Sequence, residues 1–193
     1  MSLSQTIHPV IGPVPLAEQQ LKMRAKVEAL RRLARLALQR SAQFSGFQMG
    51  VLKQAENGAP LPSNGIHWSL SHKNIYVAAV ASWTPVGIDI EQIAPYSEGV
   101  ARRLAGPSEW ALAPEPDIKL FYRYWTAKEA VLKAVGAGLA GLGRCRVEAI
   151  PDDFHLRLSF EGRPWTVTHH WIGSDHLVAV TSDAVAIEWH VIR

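Results

Sequence analysis

The 193 residues carry 20 Lys/Arg against 17 Asp/Glu, a net charge of +3, with 48% hydrophobic and 19% charged side chains. That balance excludes a disordered or collagenous chain and suits one full domain or two small ones packed together. No apolar run approaches the ~18 residues of a membrane span, and residues 1–15 show neither a secretory signal nor a lipidation box, so a cytoplasmic protein without membrane contact is expected.

Charge is divided unevenly along the chain. Residues 1–86 hold nine Lys/Arg and three Asp/Glu, giving +6, whereas residues 87–193 are net −3. A basic first half suits an anionic partner or ligand, although a solvated basic face explains the same charge without one. Most of the positive charge falls in residues 17–42, where Met23, Val27, Leu30, Ala34 and Ala37 recur at helical spacing as the expected buried stripe. Arg24, Glu28, Arg31 and Arg35 form a second stripe and Lys22 and Lys26 a third; Glu28 pairs with only one neighbour, which leaves surplus cations.

Residues 44–61 read as a strand or two interrupted by turns at Gly46, Gly50 and Asn57-Gly58. Ile66, Trp68 and Leu70 alternate with His67 and Ser69, which predicts a strand with one buried face. Residues 71–74 then read as a polar turn leading by a hairpin into residues 75–81, an apolar run expected to be a central strand covered on both faces. Past Thr84-Pro85, Val86, Ile88 and Ile90 point one way and Gly87, Asp89 and Glu91 the other. Both carboxylates thus share one strand face about 6.5–7 Å apart, where mutual repulsion calls for a counter-ion.

A short helix is expected around residues 98–104, then a loop containing Pro107, Pro114 and Pro116. A longer helix is expected over residues 118–135, burying Phe121, Tyr124, Val131 and Val135, with Gly136 as its left-handed terminus. Trp125, Glu129 and Lys133 form a separate stripe on it. Residues 146–150, 155–160, 165–171, 176–181 and 185–191 read as strands, making the chain α+β. Element order suggests a pseudo-twofold arrangement of two small α+β halves, residues 1–86 and 87–193, each with a long helix followed by strands, together one compact pseudo-dimeric domain.

Several templates fail. The letters GxGxxG at residues 136–141 follow a helix instead of opening one, which excludes a dinucleotide fingerprint. His169, His170, Asp175 and His176 lack thiolates and alternate in direction, a poor zinc set. The lone Cys145, between Arg144 and Arg146, is read as a non-catalytic thiol in a reducing compartment. What remains is Asp89 and Glu91 on a strand, Glu129 and Lys133 on a helix, and His72 near a basic half. A hard-oxygen set of this kind favours Mg2+, with Mn2+ as an alternative, and phosphate chemistry, with Lys133 stabilising leaving-group charge and Glu129 accepting a proton from an attacking hydroxyl.

The boxes Val86-Gly87-Ile88-Asp89-Ile90-Glu91 and Trp125-Thr126-Ala127-Lys128-Glu129 through Lys133, with Trp68-Ser69-Leu70-Ser71-His72 upstream and Gly136 to Leu139 downstream, resemble the 4'-phosphopantetheinyl transferases of the Sfp type, including short holo-acyl-carrier-protein synthase-like members. The resemblance covers about residues 24–140. It implies transfer of 4'-phosphopantetheine from coenzyme A to a serine of an apo acyl or peptidyl carrier protein, with release of 3',5'-ADP, by a monomeric pseudo-dimer with its substrate in the cleft between the halves. By the same resemblance Asp89, Glu91 and Glu129 hold Mg2+, and Glu129 is the base, directly or through a metal-bound water. Lys133 contacts the phosphates, and Arg31, Ser71, His72, Lys73 and Lys128 join it in binding coenzyme A. Ala59 stands where many members carry a lysine, so Lys73 or an arginine of the first helix is expected to supply that charge. A metal-dependent nuclease or phosphodiesterase, and a non-enzymatic nucleic-acid-binding module suggested by the pI near 9.2, are the rival readings. Nucleic acid is not an expected partner.

Overall fold

The computed structural model describes residues 6–183 and 186–192. Each half runs strand, long helix, hairpin. In the first half these are β1 (Val10–Pro13), α1 (Met23–Phe44), β2 (His67–His72) and β3 (Tyr76–Ser82). In the second they are β4 (Ile88–Gln92), α3 (Ile118–Val135), and β7 (Arg163–Ile172) with β8 (His176–Thr181), after the short α2 (Glu98–Leu104) and the strands β5 (Cys145–Ala149) and β6 (His155–Phe160). In both halves the last of these strands pairs antiparallel with the first, and the penultimate strand flanks it, giving sheet orders β1-β3-β2, with the short strand His190–Val191 added at the edge beside β1, and β4-β8-β7-β6-β5.

The strand pattern dictates how these layers stack. In β3, Val77, Ala79 and Ala81 face α1, packing with Leu30, Ala34, Ala37 and Leu38, while Ala78 and Val80 face the other way. In β8, Leu177 and Ala179 face α3 and Val178 and Val180 turn away from it. The inward residues of both sheets meet with Ile11, Val86, Ile88 and Ile90 in a core between the halves. Helix, sheet, sheet and helix are thus stacked in that order. Each fully buried aliphatic side chain contributes roughly 1.5–3 kcal/mol. No helix among the described residues is long and apolar enough to cross a membrane.

Several sequence expectations shift. The helix expected over residues 17–42 is one turn, Leu16–Gln19, followed by α1. Met23 and Val27 are 90% and 41% exposed, because burial begins only at Leu30. Residues 44–61 supply only the two-residue pair Lys53–Gln54 and Pro60–Leu61. Ser71 and His72 end β2 instead of lying in the turn, and Pro107 opens a single helical turn, Pro107–Trp110. Strand β1, four residues that end in Gly-Pro, is not among the expected elements. The expected last strand begins at Val185, outside the described residues; beyond it Ala186–Ile187 pairs parallel with Thr6–Ile7, and His190–Val191 with Val10 and Ile11. The tail assigned to the second half therefore extends the first half's strands.

Helix α3 is bounded as its sequence requires. The Asp117 carboxylate accepts from the Leu120 N–H at 2.8 Å, and Gly136 takes the left-handed conformation, φ 69°. The chain entering β4 lies hard against this helix at Gly87, where an added Cβ would stand 1.8 Å from the Ala130 carbonyl oxygen. Beneath α3, Lys128 is 1% exposed and its ammonium meets Glu109 Oε1 at 2.7 Å and donates to the Leu104 carbonyl at 2.6 Å. Glu109 also accepts from the Val147 and Gly106 N–H groups. Burial works to raise the Glu109 pKa, but Lys128 and these two backbone donors outweigh it and hold the carboxyl below its usual range.

Two measurements check this packing. Gly87→Ala is expected to lower the unfolding free energy in urea by about 1–3 kcal/mol or more through overpacking against backbone, and an unchanged midpoint contradicts the close approach. Lys128→Ala is expected to cost about 3–5 kcal/mol by stranding a buried carboxylate. Because the folded Glu109 pKa is depressed, its contribution is present above its ordinary value of 4.5 and lost as pH falls through the lower folded value. The stability difference between the parent chain and Glu109→Gln should accordingly shrink on acidification.

Candidate active site

Where β4 crosses α3, alternation along the strand and a four-residue spacing along the helix bring four charged groups to one cleft: Asp89 and Glu91 from β4, Glu129 and Lys133 from α3. Asp89 is 4% exposed. Its Oδ1 accepts from Lys133 Nζ at 2.7 Å and from Ser71 Oγ at 2.8 Å, and Lys133 also donates to the Ile88 carbonyl at 3.1 Å. Glu91 Oε2 meets Lys73 Nζ at 2.6 Å, and Glu91 Oε1 accepts from the Trp125 indole at 3.2 Å. The first half reaches in through the serines of β2: Ser69 Oγ accepts from the Ile88 N–H at 3.1 Å, beside the Ser71 contact to Asp89.

Electrostatics follow from this crowding. Burial first, then the neighbouring Asp89 charge, raise the pKa of Glu91 and of Glu129; Lys73 opposes the shift at both, and Lys133 at Glu129. His72 is held below its ordinary value by burial and then by the charges of Lys133, Arg31 and Lys73, so these cations cluster around it although Arg31 itself is exposed. Three carboxylates face two ammonium groups. Asp89 Oδ2 is buried without a hydrogen-bond partner, and an orphaned anionic oxygen of this kind is costly unless a cation completes it.

A hard divalent ion such as Mg2+ fits that donor set, being all carboxylate with one unsatisfied buried oxygen. The three carboxylates do not converge on one point, since Lys133 and Lys73 hold the oxygens of Asp89 and Glu91. Among the described residues, His8, Glu188 and His190 are the group whose ligand atoms all lie within 4.8 Å of one another. Glu129 and Lys133 line a cavity of about 340 Å³ whose opposite wall is the Asn57 to Pro60 turn, tied to the helix end by Asn57 Nδ2 donating to the Gly136 carbonyl at 3.1 Å. A larger hollow of about 540 Å³, around Asp117, Arg123 and Trp171, contains none of these acids.

Two expected coenzyme contacts do not fit. Lys128 is sealed beneath α3 on Glu109, about 100° around the helix from Glu129, and meets nothing in the cleft. Ser71 is buried and spends its hydroxyl on Asp89, which makes it a positioning group. Lys73, expected to replace the charge missing at Ala59, is held on Glu91. Cys145 is fully buried and its thiol is pushed up to about 12, mainly by burial, so it is no nucleophile. His169 faces the Arg123 and Phe154 carbonyls, His170 stacks on Trp189 and His176 meets Asp175, so these histidines do not converge on a metal. Glu109 and Trp125 receive no role from the sequence; the second lies on the stripe of Glu129 and Lys133, and that spacing is its signal.

Comparison with known proteins agrees with this arrangement. The sequence model of the 4'-phosphopantetheinyl transferase superfamily matches residues 85–181, which include β4, all of α3 and β8. The chain is 37% identical over 103 residues to the 4'-phosphopantetheinyl transferase HetI of Nostoc sp., covering 50% of this chain and 44% of that protein. It is 30% identical over 124 residues to a 4'-phosphopantetheinyl transferase of Bacillus subtilis, covering 61% and 50%. With the 4'-phosphopantetheinyl transferase psf-1 of Bacillus pumilus it shares 31% identity over 151 residues, covering 73% and 64%. The chain spans about half the length of the first two of these curated relatives. With half of its length matched by the family's own sequence pattern, and that half carrying the acidic cleft, the chain belongs to the 4'-phosphopantetheinyl transferase superfamily.

Proposed function

We propose that the chain transfers 4'-phosphopantetheine from coenzyme A to a serine hydroxyl of an apo acyl or peptidyl carrier protein. The observation that carries this reading is the meeting of Asp89, Glu91, Glu129 and Lys133 between β4 and α3, with Asp89 Oδ2 unpartnered. The serine oxygen attacks the phosphorus that bears the pantetheine arm; the bond from that phosphorus to the oxygen of the adenosine-side phosphate breaks, and 3',5'-ADP leaves. Glu129 takes the serine proton, its pKa raised by burial and by Asp89 toward the range in which a carboxylate accepts protons usefully. Lys133 supports the charge that grows on the leaving phosphate. Asp89, Glu91 and Glu129 are the residues that would hold Mg2+, which supplies charge neutralisation on the pyrophosphate.

Arg31 and Lys73, whose charges both act on the neutral His72 imidazole, offer a cationic wall for the coenzyme's phosphates. The exposed cations of α1 suit the acidic surface of a carrier protein. The expected setting is the cytoplasm, where coenzyme A and carrier proteins meet, with the chain acting as a monomer.

The test is the intact mass of apo carrier proteins from fatty-acid, polyketide and peptide systems after incubation with the chain, coenzyme A and Mg2+. A gain of one phosphopantetheine that EDTA abolishes is expected, and no gain on any carrier overturns the reading. Asp89→Ala, Glu91→Ala and Glu129→Ala, checked for folding by circular dichroism, should each lower kcat/KM at least about 100-fold. Lys73→Ala should raise KM for coenzyme A, and an unchanged KM removes Lys73 from that wall.

A further inference from the structure

Away from the acidic cleft, the returning C-terminal segment brings a second set of donors together. His8 lies between Thr6–Ile7 and β1, and Glu188 and His190 approach it from the tail. His8 Nδ1 and His190 Nε2 are 3.1 Å apart. The Glu188 carboxylate sets Oε2 3.7 Å from His8 Nδ1 and Oε1 3.7 Å from His190 Nε2. At 3.7 Å neither carboxylate contact is a hydrogen bond.

The spacing is that of ligands around one ion. Donors bonded to a tetrahedral zinc at ~2.0–2.1 Å stand about 3.3 Å from one another, so these three need only small adjustments to share a centre. Two imidazole nitrogens with one carboxylate form a borderline set suited to zinc, in contrast to the oxygen-only set of the cleft. The scaffold holds them in place: the Glu188 N–H donates to the Ile7 carbonyl at 3.0 Å, the His190 N–H to the Pro9 carbonyl at 2.9 Å, and Phe44, at the end of α1, stacks on the His190 ring at 3.8 Å. Glu188 is on the solvent side, its side chain 64% exposed, which leaves the fourth position open to water.

We propose that His8, Glu188 and His190 bind one zinc-class divalent ion that clasps the C-terminal strand to the first half's sheet. The segments around His8 and around Glu188 and His190 and the end of α1 then meet at a single centre, and the site is separate from the residues assigned to catalysis.

The experiment uses the whole chain, freed of metal with EDTA and titrated first with Co2+ and then with Zn2+. One equivalent of Co2+ should develop the visible absorption of a low-coordinate nitrogen–oxygen complex, and Zn2+ should abolish it. Zinc at about 100 times its dissociation constant should raise Tm by about 5–10 °C. Glu188→Gln, a conservative change at an exposed position, and His190→Ala should each weaken Co2+ binding at least about tenfold, whereas Asp89→Asn should leave it unchanged. No absorption in the parent chain, or absorption that survives both tail substitutions, or its loss in Asp89→Asn, overturns the proposal.

Discussion

The contact between Gly87 and Ala130 governs the placement of the acidic cleft. Just before β4 the chain and the helix approach so closely that a single methyl group would collide with backbone, and glycine is the residue that allows such an approach. Two residues further along the strand, Asp89 comes within 2.7 Å of Lys133, and at the next outward position Glu91 reaches Trp125. A wider separation of β4 and α3 would leave Glu91 and Glu129 solvated and their pKa values near the ordinary one. The crowding that costs packing freedom is the same crowding that raises the pKa of Glu91 and Glu129 and strands Asp89 Oδ2.

The first half completes the arrangement instead of merely flanking it. Ser69 and Ser71, on alternate residues of β2 and thus on one face, contact the Ile88 amide and the Asp89 carboxylate across the interface. The core between the two sheets, from Ile11 and Val80 to Ile90 and Val180, fixes the register in which these contacts are made. Below the helix, the Glu109–Lys128 pair anchors the loop before α3 and the first strand after it. One helix thereby presents an acidic cleft on one face and a buried ion pair on another, with the neighbouring residues Lys128 and Glu129 on different faces.

Local periodicity makes part of this legible in the sequence. Helices over residues 98–104 and 118–135 and the strands over 155–160 and 176–181 coincide with what spacing and the terminal Gly136 predict. That Asp89 and Glu91 share one face, and Glu129 and Lys133 another, is legible from strand alternation and helical spacing. Pairings between distant segments are not: β1 is too short to show a pattern, and the return of residues 186–191 to it is decided by long-range hydrogen bonds. Membership of a sequence box leads to the expectation that Lys128 binds coenzyme A, but the helical angle that separates it from Glu129 turns it away from the cleft onto Glu109. Ser71 has the local sequence of a turn residue, and only the approach of β4 shows that its hydroxyl is committed to Asp89.

The claim on which the functional account rests is that the orphaned oxygen of Asp89 marks the seat of a divalent cation. Electron paramagnetic resonance of Mn2+ with the chain in the presence of coenzyme A, compared with Asp89→Asn of the same folded content, tests it directly. The account predicts a bound Mn2+ whose affinity falls more than about tenfold in the variant. Equal affinity in the two proteins would contradict it.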